Sequence, residues 1–129
     1  MKRLIQMAVE AREKAYAPYS GFTVGAALEC QDGTVYTGCN IENASYTPTN
    51  CAERTAFFKA VSEGQRQFQR IVIVGGKGEE MSAPAPCGVC LQVMAEFCEA
   101  DTFEIIMAKG EDEVTVKKLR DMLPYGFSL

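Results

Sequence analysis

The sequence predicts an α/β sandwich built on a mixed sheet, and three observations carry that prediction. Asp32-Gly33, a strong hairpin turn signal, stands between two runs that favour extended chain. Ile71-Val72-Ile73-Val74 is apolar at every position, as a strand covered on both faces requires. Helical and extended patterns then alternate to the end of the sequence.

Each element has its own local signal. Leu4, Ile5, Ala8, Val9, Arg12, Ala15 and Tyr16 recur at helical spacing and Pro18 ends the pattern, giving a first helix over about residues 2 to 16. Phe22 to Leu28 and Thr34 to Gly38 form the opening hairpin. After a polar loop from Asn43 to Asn50, Cys51 to Glu63 is rich in helix formers and closes on Gly64, a C-terminal cap. The apolar run at 71–74, flanked by Gly75-Gly76, is expected at the sheet's centre. Pro84 and Pro86 precede a helix from about Cys87 to Glu99, and Phe103 to Met107 reads as a strand. A last helix from about Val116 to Met122 stops at Pro124.

At 129 residues the sequence is most simply one domain with a core of its own. Hydrophobic residues make up 47% and charged residues 23%, and no apolar run approaches the roughly 20 residues of a membrane span. The start, Met1-Lys2-Arg3-Leu4-Ile5-Gln6, turns amphipathic at once and lacks the apolar core of a secretion signal, so cytoplasmic residence is the expectation. In a reducing compartment the six cysteines are expected as thiols or metal ligands rather than as disulfides. A net charge of −4 and a pI near 4.9 argue against a polymeric nucleic-acid substrate, while a phosphate-free nucleoside stays open.

The chemistry concentrates in two motifs, and the sequence contains no histidine to join them. Pro86-Cys87-Gly88-Val89-Cys90 alone fits a redox dithiol or half of a four-cysteine structural site. Cys51-Ala52-Glu53 shifts the balance: Cys51, Cys87 and Cys90 make three ligands that leave one zinc position open for water, with Glu53 beside them as a non-ligand acid. Both motifs fall at predicted helix starts, where unpaired N–H groups favour the thiolate form. Three thiolates overcompensate the metal's charge, so a cation is expected close by, and Arg54 is the candidate. As a plain solvated arginine, Arg54 would stand at the helix end that disfavours a cation.

Together these residues resemble the signature of the cytidine deaminases, in particular the small homotetrameric type with a three-cysteine zinc site. The resemblance spans nearly the whole sequence, in the same order: Ala17-Pro18-Tyr19-Ser20-Gly21-Phe22, Asn40-Ile41-Glu42-Asn43-Ala44-Ser45-Tyr46, the two cysteine motifs, and Leu123-Pro124-Tyr125-Gly126-Phe127. It implies a three-layer α/β/α sandwich around a mixed five-stranded sheet, one zinc ion per chain, and assembly into a homotetramer with sites completed by neighbouring subunits. It also implies hydrolytic deamination of cytidine and deoxycytidine to uridine and deoxyuridine with release of ammonia, a pyrimidine-salvage reaction. Glu53 would carry protons from a zinc-activated water to N3 and to the leaving amino group. Asn40 and Glu42 would hold the ribose 3′-hydroxyl, the backbone of Ala52 would contact the base, and Phe22 would stack on it. Ala44 and Tyr46 would shape the pocket across subunits, and Phe127 would reach into a neighbour's site. One position departs from the resemblance: many relatives carry arginine directly after the second cysteine of the pair, and here Leu91 stands there.

Two other readings share some of these features. A deaminase of the nucleoside antibiotic blasticidin S has the same zinc motifs, although an intact Asn40 and Glu42 pair suits an ordinary ribose. A zinc-stabilised or redox-sensing protein without turnover would leave Glu53 without a task.

Overall fold

A hydrogen-bonded hairpin founds the sheet. β1 (Phe22–Cys30) pairs antiparallel with β2 (Val35–Cys39) across the Asp32-Gly33 turn, where Gly33 takes φ +89°. The structure is a computed structural model that describes all 129 residues. β3 (Phe68–Lys77) lies antiparallel to β1 on one side and parallel to β5 (Glu104–Ala108) on the other, so the sheet is mixed and β3 is central. The main path runs β2-β1-β3-β5-β6, with β6 spanning Val114–Lys118, and a short sixth strand, β4 (Glu80–Ser82), hangs on the end of β3. Those five path strands match the expected number, and β4 had no sequence signal because three residues show no periodicity.

Alternation along the strands sorts the core into two layers. Ala26, Leu28, Ile71, Ile73, Ile105 and Met107 face one way, against α2 (Ala52–Ser62) and α3 (Gly88–Phe97). Ala27, Val72, Val74, Ile106 and Ala108 face the other way, against Leu4, Ile5 and Ala8 of α1 (Lys2–Arg12). The result is three layers, α/β/α. Phe57 of α2 is fully buried, with its ring 5.1 Å from that of Phe68 and 6.1 Å from that of Phe103. Such burial contributes about 1.5–3 kcal/mol and holds α2 to the sheet. α2 comes unusually near β2 at Gly38, where a Cβ would stand 2.4 Å from the Ala52 carbonyl oxygen. That approach seats the start of α2, and with it Cys51, against the sheet. No helix is long and apolar enough to cross a membrane.

Two expectations are corrected. The first helix ends at Arg12 rather than Tyr16, because its last turn tightens and Tyr16 bridges to Ile41, donating its N–H to the Asn40 carbonyl at 2.9 Å. The expected helix at 116–122 is a strand followed by a short helix: β6 (Val114–Lys118) and α4 (Leu119–Met122). Val114, Thr115 and Val116 are β-branched, and pairing with β5 outweighs the helical spacing. The Asp121 carboxylate, accepting from the Lys118 N–H at 3.0 Å, marks where the helix starts.

Candidate active site

Two helix starts converge to build the site. Cys51 caps α2 and Cys87 caps α3, both with extended backbone, and Cys90 sits in the first turn of α3. The Sγ atoms of Cys51 and Cys87 are 3.9 Å apart, and all three sulfurs lie within 4.8 Å of one another. Ligands about 2.3 Å from a tetrahedral zinc stand ~3.8 Å apart, so this trio fits that ion. The Cys51 thiol is drawn down to about 5 by its hydrogen bond with Cys90 and by the Arg54 guanidinium, against the opposing effect of burial. Cys90 is pushed up by that same pairing and by burial. Cys51 is thus the thiol of the cluster that most readily becomes a thiolate ligand for a divalent cation.

Arg54, in the first turn of α2, donates from Nη2 to Cys51 Sγ at 3.2 Å. Its Nε is buried and has no partner. The charge that three thiolates call for is therefore in contact with the cluster. Leu91, where an arginine was missed, is buried and packs in the core between α3 and the sheet. Cys30, Cys39 and Cys98 are free thiols, with Cys30 fully buried and held above its ordinary pKa by burial.

Glu53 is the one charged residue in the buried set, 4% exposed. Burial, and after it the neighbouring Cys51, push its carboxyl up to about 7. A carboxyl near neutrality can both take and return a proton at working pH, as a shuttle must.

One cavity of about 350 Å³ gathers the rest. Phe22, Asn40, Glu42, Ala52, Glu53, Cys51 and Cys87 all line it, and its size suits a small molecule. Asn40 sits just past β2: its Oδ1 accepts from the Val24 N–H at 2.8 Å and its Nδ2 donates to the Phe22 carbonyl at 2.9 Å. Glu42 accepts from the N–H groups of Tyr19 and Ser20 at 3.0 and 3.1 Å. Ser20, Val24, Thr49, Asn50, Pro84 and Ala85 also line the cavity without having been singled out. Only Ser20 carried a signal, its place in the Ala17 to Phe22 segment. Ala44, Tyr46 and Phe127 are not brought to the cavity within one chain. Tyr46 is 77% exposed with φ +64°, and Phe127 is 64% exposed, its backbone bonded to the Gln92 side chain.

A three-thiol metal cluster with a buried acid at a small-molecule cavity defines a hydrolytic zinc-enzyme site. Comparison with known proteins narrows the class. Residues 1–107 match the cytidine and deoxycytidylate deaminase zinc-binding region. The cytidine deaminase of Sporosarcina psychrophila is 52% identical, over 99% of this chain and 91% of its own length. That of Halalkalibacterium halodurans is 49% identical over 97% and 92%. The crystal structure of cytidine deaminase from Burkholderia pseudomallei superposes with a TM-score of 0.88 at 49% identity, covering 97% of both chains. The one from Mycobacterium tuberculosis gives 0.84 at 38% identity, covering 98% of this chain and 96% of that one. The chain belongs to the cytidine deaminase family, and its cofactor is zinc.

Proposed function

We propose that the chain acts as a single catalytic domain that hydrolyses cytidine and deoxycytidine to uridine and deoxyuridine, releasing ammonia. The observation that carries this reading is Glu53, buried at the three-thiol cluster and opening on the cavity. Zinc, when bound by Cys51, Cys87 and Cys90, supplies the Lewis acidity that activates water for attack on C4 of the pyrimidine. Glu53 takes one proton of that water and passes it to N3, then moves the second proton from the oxygen now on C4 to the leaving amino group, so that ammonia departs. Phe22 and the backbone of Ala52 hold the base, Asn40 and Glu42 hold the ribose 3′-hydroxyl, and Arg54 offsets the thiolate charge.

The cavity supports a nucleoside rather than a nucleotide. No lysine or arginine lines it, and the Glu42 carboxyl is held below its ordinary pKa by the Ser20 hydroxyl, so it is anionic there. A phosphate would meet negative charge with no cation to receive it.

Ala44, Tyr46 and Phe127 stand on the outside of the chain. They serve in a homotetramer, with Phe127 reaching a neighbour's site, and the assembly works in the cytoplasm in pyrimidine salvage. The test follows the fall in ultraviolet absorbance with cytidine, deoxycytidine and cytidine 5′-monophosphate. Turnover of the two nucleosides and not of the nucleotide is expected. Faster turnover of the monophosphate, or none of any substrate by zinc-loaded protein, overturns the reading.

A further inference from the structure

Ser20 sits at the centre of a hydrogen-bond network that no motif assigned. Its Oγ is 2.5 Å from Glu42 Oε2 and accepts from the Phe22 N–H at 3.0 Å. A carboxylate has no proton to give, so the single hydroxyl proton of Ser20 goes to Glu42. Gly21, at φ +70° with open space around it, supplies the left-handed turn that places Ser20 over Glu42. Backbone bonds lock the two segments: Tyr16 N–H to the Asn40 carbonyl and Glu42 N–H to the Tyr16 carbonyl, at 2.9 and 2.8 Å.

Counting donors and acceptors shows what this network leaves free. Oε1 of Glu42 already takes two N–H groups, while Oε2 takes only the Ser20 hydroxyl. Asn40 spends one amide N–H on Phe22 and keeps the other. One acceptor on Glu42 and one donor on Asn40 remain, the complement of a single hydroxyl group.

We propose that Ser20 is a positioning residue for substrate recognition, its hydroxyl fixing the Glu42 carboxylate so that the free oxygen reads the ribose 3′-hydroxyl. The proposal rests on the reading that Asn40 and Glu42 hold that hydroxyl. Ser20 is also the largest influence holding the Glu42 carboxyl below its ordinary value, which keeps it an acceptor only. By linking Glu42 to the Phe22 backbone, the same hydroxyl joins the sugar end of the cavity to the ring expected to hold the base.

The test compares wild-type enzyme, Ser20→Ala and Ser20→Thr on cytidine and on 3′-deoxycytidine, with zinc content and melting temperature as checks of integrity. Ser20→Ala is expected to lose roughly tenfold in kcat/KM on cytidine, mainly through KM, as loss of a hydrogen bond to a charged group would give. On 3′-deoxycytidine the same substitution should cost less than about twofold, because the group that Glu42 reads is gone. Ser20→Thr, which keeps the hydroxyl, should restore most of the cytidine activity. An equal loss on both substrates assigns Ser20 to loop structure alone and overturns the proposal, as does a loss under about twofold on cytidine. Wild-type enzyme that uses both substrates equally well overturns the 3′-hydroxyl reading itself, and the proposal with it.

Discussion

Gly75, on the central strand, has no catalytic group, yet its missing side chain shapes the site. A Cβ built there would stand 2.9 Å from Cγ of Pro84 and 3.1 Å from Cε1 of Phe22, both residues of the cavity wall. Carbon atoms settle about 3.5–4.0 Å apart, so Gly75→Ala would drive the proline ring and the aromatic ring outward by roughly 0.5 Å or more. Neither gives easily. The proline ring is fixed to its backbone, and Phe22 belongs to β1, paired there with Lys77. Overpacking of this kind costs about 1–3 kcal/mol of stability. For a reaction that depends on close approach, a 1 Å misplacement can cost ~10²-fold, so half that displacement implies about a tenfold loss of kcat/KM. The assay is steady-state deamination of cytidine, with zinc content and thermal melting measured on the same sample. Full zinc with kcat/KM within about twofold of wild type would refute the argument that these two walls are set against Gly75.

Other changes probe separate parts of the mechanism. Glu53→Gln should keep zinc and lose at least ~10²-fold in kcat, since general acid–base help is worth ~10²–10⁴-fold; retention of a tenth of the activity removes Glu53 from the shuttle. Cys87→Ser should lower bound zinc, measured by atomic absorption, and a variant still carrying a full complement would discount Cys87 as a ligand. Arg70 contacts Glu29 at 2.5 Å and Glu104 at 3.1 Å, and its pairing with Glu104 is expected to matter in acid. Arg70, followed by Lys118, holds the Glu104 carboxyl below its ordinary 4.5, so this stability is present above that value and is lost as pH falls through the lower folded one. Arg70→Met should therefore flatten the decline of melting temperature below about pH 4.5, and an unchanged acid limb would show that these pairs contribute nothing there.

Much of the site could be read before the fold because its chemistry is packed into short segments. Cys51 and Arg54 stand three residues apart, as do Cys87 and Cys90, so helix geometry alone puts each pair on one side, and Glu53 is legible as the acid next to the first ligand. The absence of histidine limited the ligand set in the same way. Secondary structure was legible wherever periodicity ran long, as in α1 and β3. It misled at 116–122, where a four-residue helix follows a strand whose pairing partner lies at Glu104–Ala108. The β1–β2 hairpin announces itself through Asp32-Gly33, whereas the connection from Lys109 to Glu113 has no Asp-Gly or Asn-Gly pair to mark a turn.

The sequence by itself determined the composition of this protein's chemistry: three thiols, one acid, one arginine, and the residue types that order them into helices and strands. Tertiary structure decided what depends on distance between remote segments. It brought Cys51 to within 3.9 Å of Cys87 and buried Glu53 far enough to move its titration to about 7. It turned Ser20 onto Glu42, and it left Ala44, Tyr46 and Phe127 outside the cavity of a single chain. Spacing fixes what one helix turn can gather, whereas burial, charge proximity and cavity walls arise only when separate elements pack.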